Sequence, residues 1–465
     1  MTWLERFGHE GRYSSVSRRT DPFQPLFQLP PLRCLVGPDA AGNDAAVRGH
    51  LEFLKHAGVD LSGIDFVEFD PHGDGTEDDV WFPYETGLFG WRSGNLWHTS
   101  GSRPWREESL RDFRARSGLP REQAQAEHLW IEAARSVPDV HMFMTSQPEF
   151  LRKPFNDGVF TVDSSDGMAA LGLHQRLSGR TILPGPIAMV GVWQIARPEL
   201  LSTETFLPEL DRVQHQTRRH GPPKVFDLLA SASGRFSRCL AIRDRLIASY
   251  SIRGWAERTE DPAELVADFA LQLSGLIDAL LRAVNDALGR PIESDTQVKT
   301  SKNDLKKLSK GAPAALREAL LQEDFKHFNW AVSKLRNTIH AQSLGKGTEG
   351  GVGRTGPTVA LPVDISDGIR ENAEALGSHD RWMKDPPLQG ANGSRMRGAR
   401  IHAPLVVEDL LVLAMGFIRR IVSATPWPAD GPDLREGWRF RPKAHHHMLL
   451  SKLYGLEHLL DPQPA

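Results

Sequence analysis

The sequence predicts an α+β chain: an N-terminal α/β domain built on a parallel sheet, followed by an all-α helical-bundle domain. Three observations carry this. Between about 32 and 200, short apolar runs bounded by turn residues alternate with segments of helical spacing, the pattern of a parallel sheet covered by helices. From about 204 onward such runs nearly cease and long amphipathic segments replace them. At 465 residues the chain is also too long for one core, so two or three domains are expected.

Taken in order, residues 1–31 are polar and proline-punctuated and read as an irregular arm. Arg33-Cys34-Leu35-Val36, ending at Gly37-Pro38-Asp39, reads as a buried strand running into a turn. Val47, Leu51 and Leu54 share a helical face over Asn43–Ala57, closed by Gly58. Ile64–Phe69 is the second strand. Residues 70–104, rich in Gly, Asp, Trp and Pro, read as an extended excursion. Helical spacing returns over Glu107–Arg116 and Glu122–Arg135, strands are expected at Val140–Thr145 and Gly158–Val162, and a helix follows over Asp166–Leu177. The α/β domain is therefore placed at 32–200.

A helical connector occupies 204–260, with helices over Phe206–Arg219 and Val225–Tyr250. The next helix, Pro262–Leu288, has Asp261 as N-cap and Pro262 at its first position. Its stripe of Leu265, Phe269, Leu273, Leu276, Leu280, Val284 and Leu288 is stopped by Gly289 and Pro291. Helices are also expected over Lys302–Leu308, Pro313–Gln322, Phe325–Leu344 and Pro404–Val422, with a short strand at Thr358–Val363. Loops rich in glycine or polar residues cover 345–357 and 384–400. A tail from 426 to 465 carries one helix near His446–Leu459.

Bulk chemistry narrows the classes. Hydrophobic residues make up 40% and charged residues 25%, ordinary for a globular chain. With a net charge of -3, a nucleic-acid partner must meet a local basic patch. Two cysteines, Cys34 and Cys239, exclude a disulfide framework and a four-cysteine zinc site. The first residues lack the apolar core of about seven that a secretory signal needs, and no run of about 18 apolar residues suggests a membrane span. A cytoplasmic location with no membrane partner is expected.

The chemistry concentrates in Leu335-Arg336-Asn337-Thr338-Ile339-His340. Arg336 and His340 are four apart, so a helix stacks a phosphate-gripping guanidinium and an imidazole titrating near neutral pH on one face, with Asn337 on the flank. Nearby, Lys299, Lys302, Lys306, Lys307 and Lys310 stand against one acid, Asp304, and Lys334 lies within the motif's own helix. Such a cation excess tracks an RNA backbone. It is also the composition of a solvated helix face, just as the Arg-Asn-x-x-His pattern also suits a network that ties helices together. His445–His447 lack ligand-spaced companions, and the glycine-rich 345–357 lacks a Gly-Lys-Ser/Thr ending.

The motif on a helix, inside a helical region opened by a long amphipathic helix, resembles the HEPN superfamily of RNA-associated helical bundles, common in toxins and antiviral defence. The resemblance covers roughly 262–425. The gap of three residues between arginine and histidine is shorter than usual for that family. The resemblance implies a metal-independent endoribonuclease acting as a homodimer on RNA, with no cofactor. His340 would serve as general acid or base, an effect worth about 10²–10⁴-fold. Arg336 would clamp the phosphate and Asn337 would orient a neighbour. A non-enzymatic RNA-binding or dimerisation scaffold is the alternative.

The strands followed by acids at Val36–Asp39, Asp139–Ser146 and Val162-Asp163 give 32–200 a fainter resemblance to PIN-like, Rossmann-like metal nucleases. That implies Mg²⁺ or Mn²⁺ held by Asp39, Asp163 and Asp166 if this domain is active. Gln147 stands where such domains often carry a further acid. The other reading is that these acids cap helices and turns.

Overall fold

In a computed structural model, residues 29, 31–37, 39–68, 89–93, 96–100, 107–124, 128, 130, 140–147, 151, 160–179, 181–184, 192–194, 198–251, 261–290, 302–338, 344–346, 358–383, 399–427 and 444–456 are described. The chain forms two units. One comprises Met1–Ala196, Ser251–Gly254 and Ala444–Glu457; the other comprises Arg197–Tyr250, Trp255–Lys443 and His458–Ala465.

The first unit is organised by a six-stranded sheet of β1 (Leu32–Val36), β2 (Ile64–Glu68), β3 (Phe89–Ser93), β4 (Leu96–Ser100), β5 (Met142–Met144) and β6 (Phe160–Val162). Its order is β4-β3-β2-β1-β5-β6. β1 pairs in parallel with both β2 (Cys34 opposite Phe66) and β5 (Cys34 opposite Met142), and β5 pairs in parallel with β6. Leu32, Cys34, Leu35, Met142, Phe143 and Met144 are buried, as strands covered on both faces require. The 70–104 segment, expected as an extended excursion, contains an antiparallel hairpin: β3 joins β2 at one edge and β4 pairs back on β3. Its Gly and Asp content masked two strands of five residues each. A short antiparallel pair, β7 (Ile182–Pro184) and β8 (Val192–Gln194), completes the described strands of this unit.

Helix α1 (Ala45–Ser62) begins at Asp44, whose carboxylate accepts from the backbone N–H of Ala46 and Val47 at 2.9 and 3.1 Å. Gly58 was expected to end it. Instead Gly58, at φ 72°, makes a kink, and the helix resumes until Gly63, at φ 71°, stops it with its N–H on the Val59 carbonyl. Helices α2 (Glu107–Ser117) and α3 (Ser164–Ser178) follow. The helix Ala444–Tyr454, last in the chain, packs along α3. Gly172 permits that approach: a Cβ there would lie 2.1 Å from the Leu453 carbonyl oxygen. Arg176 sits over the Tyr454 ring at 3.9 Å and donates to the Leu453 carbonyl at 2.6 Å, while Lys452 pairs with Asp44 at 3.0 Å.

The second unit contains α4 (Pro198–Phe206), α5 (Pro208–His220), α6 (Pro223–Ser251), α7 (Pro262–Ala287), α8 (Lys302–Ser309), α9 (Ala314–Leu321), α10 (Glu323–Asn337), α11 (Val363–Ala375), α12 (His379–Trp382) and α13 (Ala403–Ala424). It is not wholly α. Gly345–Lys346 (β9), Thr358–Ala360 (β10) and Arg400–His402 (β11) form an antiparallel sheet in the order β11-β10-β9, so parts of the expected loops at 345–357 and 384–400 are strand. β10 falls within the strand expected at Thr358–Val363, whereas β9 and β11, of two and three residues, leave no alternation long enough to read from sequence.

The α7 stripe from Leu265 through Val284 is buried as expected, and Asp261 accepts from the Ala263 N–H at 3.0 Å. α7 packs on α10 and α13. Phe325 and Phe328 of α10 meet Phe417 of α13 with ring centroids 4.2 and 5.6 Å apart. α13 is apolar nearly all round, and its two buried acids are both matched by cations. Arg243 Nη2 reaches Glu408 at 2.7 Å, and Arg381 Nη1 reaches Asp409 at 3.0 Å, where the Trp382 indole also donates at 2.8 Å. Burial pushes the Asp409 carboxyl above its ordinary range, against the pull of Arg381 and these hydrogen bonds. No helix among the described residues is long and apolar enough to cross a membrane.

Candidate functional site

Helix α10 is built to end in cations. Glu323 and Asp324 sit in its first turn and Lys334 and Arg336 in its last, matching the helix dipole at both ends. Phe325, Phe328, Ala331, Val332 and Leu335 bury one face. The helix was expected to run to Leu344, but it stops at Asn337. Thr338 caps it, its hydroxyl donating to the Leu335 carbonyl at 2.6 Å, and Leu344 is buried just before β9. Local hydrogen bonding by a threonine competes with continued helix. Arg336 and Asn337 therefore occupy a helix end. His340 lies outside the described residues.

Arg336 is half-buried. Its Nη1 donates to Ser274 Oγ on α7 at 3.0 Å, and its Nε and Nη2 donate to Asn337 Oδ1 at 3.4 and 3.3 Å. Among the described residues no carboxylate pairs with it. Arg243, in the same unit, shows the contrast: it is buried and salt-bridged to Glu408. Two neutral oxygens hold the Arg336 guanidinium in place and leave its charge unmatched, the condition for receiving an anion. Ser274 is buried, 62 residues away in sequence, and carries no local sign of this role.

Two residues before Arg336, Lys334 Nζ lies 5.4 Å from the centre of the Trp330 ring, a cation–π contact, and no carboxylate partners it among the described residues. His327, on the same helix, donates Nδ1–H to Asn372 Oδ1 at 2.8 Å, and Asn372 in turn donates to the Gly368 carbonyl at 2.6 Å. Of the other expected RNA-binding lysines, Lys306, Lys307 and Lys310 are exposed while Leu305 and Leu308 are buried beneath them. Lys302 opens α8, and Lys299 lies outside the described residues. The end of α8 already has a cation: Arg290 donates to the carbonyls of Leu308 at 2.7 Å, Lys307 at 3.5 Å and Lys310.

The three N-terminal acids follow parallel strands. Asp39 accepts from Ser146 Oγ at 2.6 Å, which joins the ends of the neighbouring strands β1 and β5. Asp163 caps α3, accepting from the Asp166 N–H at 2.9 Å, and Asp166 is buried in its first turn. Helix capping thus occupies Asp163, and among the described residues no three His, Cys, Asp or Glu side chains converge as a metal-ligand set. Cys34 and Cys239 are free and buried, and burial pushes both thiols far up, so neither supplies a thiolate nucleophile at neutral pH.

The sequence motif located Arg336, Asn337 and Lys334. It missed Ser274 and Trp330; for the latter, the Trp-x-x-x-Lys spacing on one helix was the available signal. Comparison with family models, with curated proteins and with solved structures finds no match to this chain.

Proposed function

We propose that the helical unit is a metal-independent endoribonuclease, HEPN-like in type, in which Arg336 grips the scissile phosphate and His340 handles the proton. One observation carries the reading: a positioned guanidinium at a helix end, held by a hydroxyl and an amide oxygen instead of a carboxylate. In the reaction the 2′-hydroxyl loses its proton to a base and its oxygen bonds to phosphorus. The 5′-oxygen then leaves with a proton, and the negative charge on the phosphoryl oxygens peaks in between. A fixed cation there is worth about 10²–10³-fold, and acid–base help about 10²–10⁴-fold. Two copies of the chain would supply two imidazoles, one for each proton.

The test is cleavage of a mixed RNA pool in EDTA. Wild type should cut. His340→Ala should lose at least about 100-fold with an unchanged thermal midpoint, and Arg336→Lys, which keeps charge without the fork, should fall between the two. Full activity in His340→Ala, or a requirement for Mn²⁺, removes this assignment. A second reading, that the motif only ties helices in an RNA-binding scaffold, draws on the Arg336–Ser274 bond. It requires no cleavage by wild type and lost stability in Arg336→Ala.

A further inference from the structure

Trp330 departs from the other described tryptophans of its unit. The Trp382 indole N–H is held by Asp409 and that of Trp427 by the Val422 carbonyl at 2.8 Å. Trp330 Nε1–H has no partner among the described residues, and the side chain is only partly buried. A buried indole normally finds an acceptor, so a half-open one without an acceptor is placed to offer its N–H and its ring to something else. Its position is nonetheless set. The six-membered ring lies against Gly368 of α11, where a Cβ would come within 2.1 Å of Cη2. Gly368 thus provides a seat that no other residue could leave open.

The surroundings select an anion-bearing aromatic ligand. Trp330, Lys334 and Asn337 are spaced four and three apart, so they share one face of α10. On these two helices Glu323 pairs with Lys326, and Asp367 with Arg370 at 3.2 Å. Among the described residues Lys334 is not matched in this way, which leaves a cation over an aromatic ring.

Resting on the ribonuclease reading above, we propose that Trp330 is a stacking platform for one unpaired base of the RNA, with Lys334 taking an adjacent phosphate. In the free protein the Lys334 ammonium rests over the ring. When RNA binds, the base takes that face and the flexible lysine swings to the backbone phosphate, so one ligand satisfies both groups. Because a base inside a duplex has no free face, the substrate is single-stranded RNA.

The experiment measures binding of the full chain to a fluorescein-labelled mixed-sequence RNA carrying 2′-O-methyl groups, which block transesterification, free and annealed to its complement, at two salt concentrations. The single strand should bind more tightly than the duplex. Trp330→Ala should weaken single-strand binding roughly 10- to 100-fold, Trp330→Phe much less, and neither should change duplex binding. Lys334→Gln, which touches no core contact, should weaken it several-fold and lower the salt dependence by about one phosphate. Equal affinity for single strand and duplex, or unchanged affinity in Lys334→Gln together with a folded Trp330→Ala or Trp330→Phe that matches wild type, overturns the proposal. Cleavage by wild type with unaltered binding by the Trp330 variants would overturn the platform alone. Tight single-strand binding lost in Trp330→Ala, without cleavage by wild type, would overturn the nuclease reading alone.

Discussion

His50 is an unfavourably placed titratable group of the N-terminal unit, and replacing it should make the protein more resistant to acid. The side chain is 1% exposed in α1 and stacks on Phe53 at 6.0 Å. Among the described residues neither ring nitrogen has a hydrogen-bond partner, and burial drives its pKa from 6.5 to about 3. A base with a depressed folded-state pKa stays neutral when folded while the unfolded chain takes up a proton. Stability is therefore lost as pH falls from about 6.5 towards about 3, at about 1.4 kcal/mol per pH unit. Between pH 7 and pH 5 this amounts to about 2 kcal/mol. His50→Leu removes the proton uptake and the unsatisfied nitrogens, themselves worth about 1–3 kcal/mol. The assay is urea unfolding at pH 7 and pH 5, followed by hydrogen exchange at the Leu51 and Leu54 amides. It compares the pH dependence of the two proteins, so carboxylates common to both cancel. If His50→Leu weakens on acidification as much as its parent, the reasoning fails.

Two further perturbations probe long-range contacts. Gly172→Ala should cost the N-terminal unit roughly 1–3 kcal/mol by overpacking, because the new methyl would meet the Leu453 backbone. Exchange at amides of the Ala444–Tyr454 helix should accelerate, and unchanged protection there would count against the close approach. Glu408→Leu should destabilise the helical unit by up to about 3–5 kcal/mol by removing the nearer of two carboxylates beside buried Arg243, Asp244 remaining at 3.7 Å, with most of that recovered in the double variant Arg243→Met/Glu408→Leu. A double variant as damaged as the single one would show that the pair is not the cause.

Helices with a wide apolar stripe and clear stops were legible in the sequence. Asp261, Pro262 and the Leu265–Val284 stripe define α7 by local capping and periodicity alone. β1, β2, β5 and β6 were legible as apolar runs between turns, but their neighbours were not, since pairing depends on residues tens of positions apart. The β3–β4 hairpin was hidden by its glycines. Gly58 was misread because a glycine that ends a helix and one that kinks it are the same residue in sequence, and the contacts beyond it decide which occurs.

By itself, then, the sequence determined the long amphipathic helices and the apolar strands β1, β2, β5 and β6, that Arg336, Asn337 and Lys334 fall on a helix, and that both cysteines are free of a disulfide framework. These follow from local periodicity, capping and count. Only the tertiary structure decided that Arg336 is held by Ser274 and not by an acid, that Trp330 rests on Gly368, and that the last helix belongs with the N-terminal sheet. Each joins residues far apart in the chain, whose meeting is set by how buried faces fit together and leaves no trace in local pattern.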